Sequence, residues 1–271
     1  DIQSDGLTHS SIWCIVKDNQ GTLWLGTYFG GVNYFNPEYE IYTRYSYSSN
    51  EKQGLSNPVV GRTIEDKNGN LWIGTEGGGL NYFNRRTREF KWYRPQEGRN
   101  SISHNNVKAL YYDADKEIIW IGTHLGGLNR LDIRSGHFTH YRMEDNNRQT
   151  LPSDIVRDII PYKDLLIVAT QNGVCLFEPD SGKCRQLFKD SKEGKSIKMV
   201  ADILLDSEST LWIAATGEGV FSYRFDTRKL TNYRHDSANP NSLSNNNVNN
   251  IMQDSQGHLW FSTSGSGLDL Y

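Results

Sequence analysis

The chain has 271 residues, a formal net charge of −3, and 12% aromatic residues. This near-neutral balance gives no electrostatic basis for nucleic-acid binding, and no apolar run has the length of a transmembrane helix. The first residues, Asp1 to Ser4, do not resemble a signal peptide. The composition is that of a globular chain with enough aromatic side chains to build a core from short strands.

Six versions of one short apolar segment occur along the chain, the second of which reads Leu-Trp-Ile-Gly-Thr. The second residues of these segments are Trp24, Trp72, Trp120, Ile167, Trp212 and Trp260. Successive copies are therefore separated by 48, 48, 47, 45 and 48 residues. A nearly fixed period of this length indicates repeated structural units.

The third copy shows the strand pattern of a whole unit. Val107 to Asp113 is a short apolar run, and Ile118 to Thr123 is a second run rich in β-branched residues. Leu128 to Leu131 and Phe138 to Tyr141 alternate apolar and polar residues, which is typical of strands. Polar turns separate the runs, since Asp initiates turns and Gly accepts positive φ. No segment carries a helical apolar stripe, so we expect almost no helix.

Four antiparallel strands in each repeat of 45 to 48 residues are the signature of propeller blades, so the predicted fold is an all-β β-propeller. The recurrent tryptophan is expected to pack between neighbouring blades. The predicted blades of this single domain (1–271) are residues 5–48, 54–96, 102–144, 151–190, 197–236 and 243–271. The last blade stops after its third strand. We therefore expect a fragment of a longer propeller chain, because folded proteins normally cover an open sheet edge.

The three cysteines, Cys14, Cys175 and Cys184, are too few for a disulfide framework. Cys175 and Cys184 lie on either side of a predicted hairpin turn, so one alternative is a single disulfide between them. Cys184 also takes the core-facing place of Phe90 and Phe138 in other units. That position favours the alternative, a buried free thiol.

The repeats resemble the two-component regulator propeller repeat. Asn68–Asn84 carries the resemblance most fully, and Gly21–Asn36 and Ile118–Asp132 are closely similar. Asn239–Val248 resembles the connection between blades in that family, whereas the fourth unit is degenerate. In the family, tandem propellers form the periplasmic sensor region of bacterial hybrid two-component histidine kinases and typically detect oligosaccharides. The resemblance implies a periplasmic location, with the kinase and any membrane segment elsewhere in a longer protein.

Signatures of catalysis and of cofactor binding are missing from the sequence. Gly77–Gly79 lacks the Gly-Lys-Ser/Thr of a phosphate loop, so tight turns explain it better. Asp66–Asn70 lacks the distal glutamate of an EF-hand and recurs where a hairpin turn is needed. His137 and His140 face opposite sides of one predicted strand, which makes them poor co-ligands for zinc. We expect no enzyme activity in this chain, no cofactor and no metal.

The predicted topology places two kinds of loop at the same end of every blade. These are the turn between the second and third strands and the connection from one blade to the next. The residues directly after the second strand differ in every unit, whereas the strand before them and the glycine after them are nearly fixed. Because loops on a rigid scaffold carry recognition, we predict that this face binds the ligand.

Ten residues on this face are the candidate ligand-binding side chains. Aromatic rings can stack on a pyranose, polar groups can bond its hydroxyls, and cations near the first strands can bind a carboxylate or sulfate. The ten are Tyr28, Phe29, Arg62, Glu76, Lys108, His124, Arg157, Gln171, Asn172 and Glu218. Asp158 and Asp202 lie near the cations in sequence, and an ion pair with them is the alternative role of those cations.

Three functions are compatible with the sequence. The first is a non-catalytic sensor that binds an oligosaccharide or polysaccharide fragment to control signalling. The second is an assembly module in which blade edges and loops bind a second propeller or an identical subunit. The third is a propeller lyase or hydrolase that uses a metal and a histidine such as His124. Solvated loops without any ligand, with Phe29 and Leu125 covering the core, are a further alternative for the face.

Overall fold

The computed structural model describes residues 7–36, 41–189, 191 and 194–271. These residues contain 23 β-strands, two short 3-10 helices (Glu51–Gln53 and Gly194–Ser196) and no α-helix. The expectation of almost no helix is therefore confirmed for the described part of the chain. Two compact units, residues 1–140 and 141–271, make up the chain.

The first unit contains three four-stranded antiparallel sheets, which we call blades one to three. Within each sheet the strands lie side by side in the order of the chain, as the repeat predicts. The strands are β1 (Ile12–Lys17), β2 (Leu23–Thr27), β3 (Val32–Asn36), β4 (Ile41–Tyr45), β5 (Val60–Glu65), β6 (Leu71–Thr75), β7 (Gly79–Asn84), β8 (Glu89–Tyr93), β9 (Val107–Asp113), β10 (Ile118–Thr123), β11 (Leu128–Asp132) and β12 (Phe138–Tyr141).

The second unit contains blades four to six, of which the sixth has three described strands. The strands are β13 (Val156–Tyr162), β14 (Leu165–Thr170), β15 (Gly173–Phe177), β16 (Cys184–Gln186), β17 (Val200–Leu205), β18 (Thr210–Ala215), β19 (Gly219–Arg224), β20 (Lys229–Tyr233), β21 (Val248–Gln253), β22 (Leu259–Thr263) and β23 (Gly267–Leu270). The three-stranded last sheet agrees with the predicted stop after a third strand.

The recurrent tryptophan packs against the next blade, as predicted. Trp24 of blade one lies in a buried cluster with Ile73 and Phe83 of blade two. Trp72 is buried with Ile119 of blade three, and Trp212 is buried with residues of blade six. Truncating a buried aromatic residue of this size typically costs about 3 to 5 kcal/mol, so these rings are a main source of blade-to-blade stability.

A hydrogen bond that the repeat pattern alone does not reveal fastens the tryptophan to the first turn of its blade. In blade one, Asp18 Oδ1 accepts from the backbone N–H groups of Gln20 and Thr22, both at 2.9 Å. Its other oxygen, Oδ2, accepts from Trp24 Nε1 at 2.7 Å. The pairs that repeat this arrangement are Asp66–Trp72, Asp206–Trp212 and Asp254–Trp260. We call it the Asp–Trp clamp.

A disulfide joins Cys175 and Cys184, so the favoured alternative of a free Cys184 thiol is wrong. The two residues lie diagonally across the paired strands β15 and β16, and their Cα atoms are 6.0 Å apart. This separation is within the range that disulfides span. Both side chains are buried, and Cys184 pairs with Phe177 as Phe90 pairs with Phe83, so its core-facing placement is confirmed.

Candidate functional site

Each blade holds the residue after its second strand against the residue before its first strand. In blade two, Glu76 N donates to Val59 O at 3.0 Å, and in blade three His124 N donates to Asn106 O at 3.0 Å. The equivalent donors in the other blades are Tyr28, Gln171, Thr216 and Ser264. The two kinds of loop therefore meet at one end of each blade, as the topology predicts, and we call them the rim loops.

Buried side chains fix the backbone of the rim loops in the first unit. In blade two, Thr75 Oγ1 donates to Gly79 O at 2.9 Å. Asn81 Oδ1 accepts from the backbone N–H of Ser56 at 2.8 Å, which anchors the incoming connection. The residues that repeat these bonds are Thr27, Asn33, Thr123 and Asn129. The scaffold thus holds the rim backbone while the side chains between these anchors are free to differ.

The first strand of every blade contains a β-bulge beside its rim loops. The pairing with the second strand skips one residue in all six sheets. The skipped residues are Trp13, one of Gly61 and Arg62, Lys108, Arg157, Ala201 and Asn249. A bulge re-aims a side chain and is frequent next to functional sites.

The sequence contains a signal for these bulges, which the strand predictions above did not include. Buried apolar residues in the first strands lie three positions apart, as at Val156 and Ile159 and at Val200 and Ile203. Uninterrupted strands place residues of one face two positions apart. A spacing of three within a strand therefore indicates one inserted residue.

The candidates Tyr28 and Phe29 are exposed and belong to an aromatic cluster. Trp13 stacks on Tyr28, with ring centroids 5.6 Å apart and planes at 14°. Phe29 meets Tyr28 edge to face at 4.3 Å and His9 at 6.1 Å. Phe29 is 57% exposed and Leu125 is 55% exposed, so neither side chain covers the core. Trp13 and His9 belong to the cluster although neither is among the ten predicted candidates.

Glu76 and Lys108 form an ion pair between blades two and three. Lys108 Nζ donates to Glu76 Oε1, and both side chains are half-buried. The rim residue of one blade thus meets the bulge residue of the next. This arrangement offers a neutral, polar surface to a ligand, and a charged ligand group would compete for one of the two partners.

Arg62 and His124 are half-buried in the first unit. The ring of His124 lies 6.4 Å from that of His104, whose Nδ1 accepts from Asn106 N at 3.0 Å.

The charge of Arg62 also acts on the Cys14 thiol. Burial raises the pKa of this thiol, while a hydrogen bond with Thr63 and the charge of Arg62 lower it to a smaller extent.

The second unit contains the other four candidates. Arg157 is half-buried, and its Nε atom is buried without a hydrogen-bond partner among the described residues. Gln171 is half-buried, and its backbone oxygen accepts from Met199 N at 2.7 Å. Asn172 is exposed, and its side chain donates to Pro152 O at 3.5 Å.

Glu218 needs a correction, because it does not directly follow the second strand of blade five. That strand ends at Ala215, so Thr216 is the first rim residue, and its N–H donates to Met199 O at 3.2 Å. The carboxylate of Glu218 instead accepts from Arg234 Nη1. Ala215 replaces the threonine that ends the second strand in the other blades, so the sequence lacks the landmark that locates the rim residue there.

Asp158 and Asp202 bind the first strand of the following blade in the second unit. Asp158 Oδ2 accepts from Ile203 N at 3.4 Å, and Asp202 Oδ2 accepts from Ile251 N at 2.7 Å. These bonds join adjacent blades through the backbone. They give both carboxylates a structural role that the sequence pattern did not predict.

Two cavities adjoin blade six and lie away from the ten candidates. Their volumes are about 350 and 650 Å³, and Tyr233 and Tyr271 line both. None of the ten candidates lines either cavity. Within the described ranges, no group of three or more His, Cys, Asp or Glu side chains is placed to hold a metal ion. Among the described residues no helix is long and apolar enough to cross a membrane.

Comparison of the sequence with protein families identifies the repeats. Residues 6–29, 54–77, 101–124 and 242–265 match the two component regulator propeller. The chain therefore carries two-component regulator propeller repeats in blades one, two, three and six. No curated protein matches the chain significantly.

Comparison with solved structures identifies the fold. The extracellular domain of the putative hybrid two-component system BT3049 from B. thetaiotaomicron matches 98% of this chain at 23% identity and a TM-score of 0.72. The corresponding domain of BT4673 from the same organism matches 98% at 21% identity and 0.57. PorZ, a surface component of the type-IX secretion system of Porphyromonas gingivalis, matches 96% at 18% identity and 0.58. These similarities show the predicted β-propeller fold.

The chain spans only part of these structures, namely 40%, 38% and 44% of their respective lengths. Two of the three are extracellular domains of hybrid two-component systems, and one belongs to a secretion system. The chain is thus a propeller that is similar in fold to extracellular domains of putative hybrid two-component systems, and a shared fold alone does not determine function.

Proposed function

We propose, from the premise that this chain carries two-component regulator propeller repeats, that it is a periplasmic, non-catalytic part of a hybrid two-component sensor. In this proposal an oligosaccharide binds to the rim loops and the bulge residues beside them. The kinase and the membrane anchor belong to other parts of a longer protein. No nucleic acid and no cofactor take part.

The observation that carries the proposal is the contrast between fixed backbone and differing side chains at the rim. Thr75 and Asn81 hold the rim backbone of blade two, and equivalent residues do so in its neighbours. The side chains between these anchors differ in size, charge and polarity from one blade to the next. Such a surface can recognise an irregular polar ligand without cost to blade packing.

The chemistry of these side chains suits a carbohydrate. The exposed rings of Trp13, Tyr28 and Phe29 offer stacking surfaces, and the amide groups of Gln171 and Asn172 can bond hydroxyl groups. Arg157, a half-buried bulge residue, can bind a carboxylate or sulfate of an acidic sugar through its guanidinium group. The Cys175–Cys184 disulfide fits an oxidising compartment such as the periplasm.

Calorimetric titration of the 271-residue chain with neutral and acidic oligosaccharides tests the proposal. We expect at least one glycan to bind, and either Tyr28→Ala in the first unit or Arg157→Ala in the second unit to weaken that binding, according to which unit holds the glycan. Lys116→Ala, in the exposed turn at the opposite end of blade three, is the matched control and should bind as the wild type does. Failure of every glycan to bind would count against the sensor function.

An assembly role is the second candidate, and the exposed apolar residues of β1 and β23 favour it. Ile12 and Ile15 of β1 and Leu268 of β23 are exposed, whereas Val60 and Leu80, at equivalent positions of blade two, are fully buried. Exposed apolar patches of this kind mark interaction surfaces. Light scattering should then detect association of the chain with itself, and a strictly monomeric chain would contradict self-assembly.

A further inference from the structure

We infer that Trp13 and Tyr28 form a stacking platform for one pyranose ring of the bound saccharide, with Trp13 as a specificity-determining residue. The inference rests on the proposed sensor function and deepens it by locating one sugar subsite. It adds Trp13 to the rim candidates because of its position in the fold.

The two rings are arranged as a platform. Their planes lie within 14° of each other with centroids 5.6 Å apart, so they present nearly parallel surfaces. Trp13 is 55% exposed and stands out among the seven tryptophans, all of which are described and the rest of which are buried or half-buried. Tyr28 N donates to Ser11 O at 3.0 Å, which holds the rim loop beside the start of β1. Phe29 contacts Tyr28 at the border of the platform, and His9 contacts Phe29.

The β-bulge separates Trp13 from the apolar residues that serve blade packing. Ile12 and Ile15 occupy positions that are buried in the other five blades, for example Val60 and Thr63 in blade two. Trp13 is the extra residue between the paired positions Ile12 and Cys14. Trp13 thus lies outside the paired register that contains Ile12.

A second blade shows where a bulge side chain is directed. Lys108 is the extra residue of β9, and its Nζ reaches Glu76, the rim residue directly after β6. Trp13 reaches Tyr28, the rim residue directly after β2 of its own blade, whereas Lys108 reaches the rim residue of the preceding blade. Two unrelated side chains thus use the same bulge position to contact a rim residue. The bulge position belongs to the rim surface in both blades.

A pyranose with mainly equatorial hydroxyl groups is the ligand class that fits this platform. The axial C–H groups of such a ring form an apolar face that stacks on aromatic rings, while its hydroxyls point to the rim. The Tyr28 hydroxyl and the imidazole of His9 are polar groups of the cluster that can bond these hydroxyls. An apolar segment of a protein would use the same rings but would not need the polar border, so a saccharide is favoured.

Calorimetry on the 271-residue chain tests the platform with four probes, namely hexasaccharides of cellulose, xylan, polygalacturonate and heparin. For any probe that binds, we expect Trp13→Ala to weaken binding about tenfold, and Trp13→Phe to retain most of it. Ile15→Ala is the matched control, since Ile15 is on the same strand and 60% exposed. It should bind as the wild type does. A ligand that stacks on Trp13 should also reduce acrylamide quenching of tryptophan fluorescence in the wild type but not in Trp13→Ala.

The outcomes distinguish the platform from the sensor function. Binding of a probe with equal affinity by wild type and Trp13→Ala would overturn the platform and leave the sensor function standing. Equal losses in Trp13→Ala and Ile15→Ala would also overturn it, because the effect would then belong to the whole strand. If none of the four probes bound the wild type, the sensor function and the platform would fail together.

Discussion

Blade two and blade four have the same strand order but are fastened by different chemistry. In blade two, the Asp–Trp clamp of Asp66 and Trp72 and the Asn81–Ser56 bond tie loops to strands. Blade four has Pro161 and Ile167 at the two clamp positions. It also has a cysteine where blade two has Asn81, and this cysteine forms a disulfide with Cys184.

The difference teaches which property of a repeat position is required. Ile167 and Trp72 are both buried, although one is aliphatic and the other is an indole that needs a hydrogen-bond partner. Burial is therefore common to both blades, whereas the fastening is polar in one and covalent in the other. A blade can exchange one kind of fastening for another provided that its core stays filled.

The largest effect is expected from removing the clamped ring of blade two. Trp72→Ala should lower the free energy of unfolding by about 4 kcal/mol, because a cavity forms and Asp66 loses its indole donor. Trp72→Phe keeps much of the apolar volume and should cost about 2 kcal/mol. Urea unfolding followed by circular dichroism measures both. Equal costs would show that the hydrogen bond, and not the filled volume, determines the stability of blade two.

Breaking the disulfide of blade four should have the next largest effect. The double variant Cys175→Ala/Cys184→Ala should have a free energy of unfolding about 3 kcal/mol lower than that of the wild type, since the open loop gains entropy in the unfolded chain. Dithiothreitol should lower the stability of the wild type to a similar level and leave the double variant unchanged. A wild type that is insensitive to the reductant would show that the covalent bond adds nothing to blade four.

A smaller effect is expected from the polar anchor of blade two that corresponds to Cys175. Asn81→Ala leaves the buried N–H of Ser56 without its acceptor, which should cost about 1 to 3 kcal/mol of unfolding free energy. Asn68→Ala, in the exposed turn between β5 and β6, is the control and should cost less than about 1 kcal/mol. Thermal unfolding of the two variants measures the difference, and a reversed order would contradict the anchoring role.

The acid response of a clamp should give the smallest effect, and blade four, which lacks a clamp, should not show it. The hydrogen bond from Trp260 and those from the backbone of His258 and Gln256 lower the pKa of Asp254 to about 2. Because the pKa of Asp254 is lower in the folded state than in the unfolded state, its carboxylate stabilises the fold fully above about pH 4. This stabilisation is lost as the pH falls toward 2. Urea unfolding of wild type and Asp254→Asn across this range should give curves that converge at low pH. A constant difference would rule out titration of Asp254 as the cause.

The sequence was sufficient to predict the strands and the end of the blade at which each loop lies. The tryptophan segments and the turn at Asp66–Asn70 depend on local chemistry, which neighbouring residues determine. The predicted outer strand of blade three, Phe138 to Tyr141, agrees with the structure for the same reason. Loop positions could be inferred because antiparallel connectivity determines the end at which each turn emerges.

The side-chain contacts could not be predicted to the same extent. The Lys108–Glu76 pair joins residues 32 positions apart, and the Trp13–Tyr28 stack depends on a bulge that the strand predictions did not include. Both require the register between strands as well as the strands themselves. The misplacement of Glu218 had another origin, because Ala215 replaces the threonine that marks the end of the second strand in the other blades.

The bulges give this fold a practical consequence as an engineering scaffold. A residue outside the paired register contributes its side chain to the surface without supporting the strand pairing. A library randomised at Trp13, Lys108, Arg157, Ala201 and Asn249 should therefore retain the register of all five strands that carry these residues. Selection from such a library could redirect binding while the sheets remain unchanged.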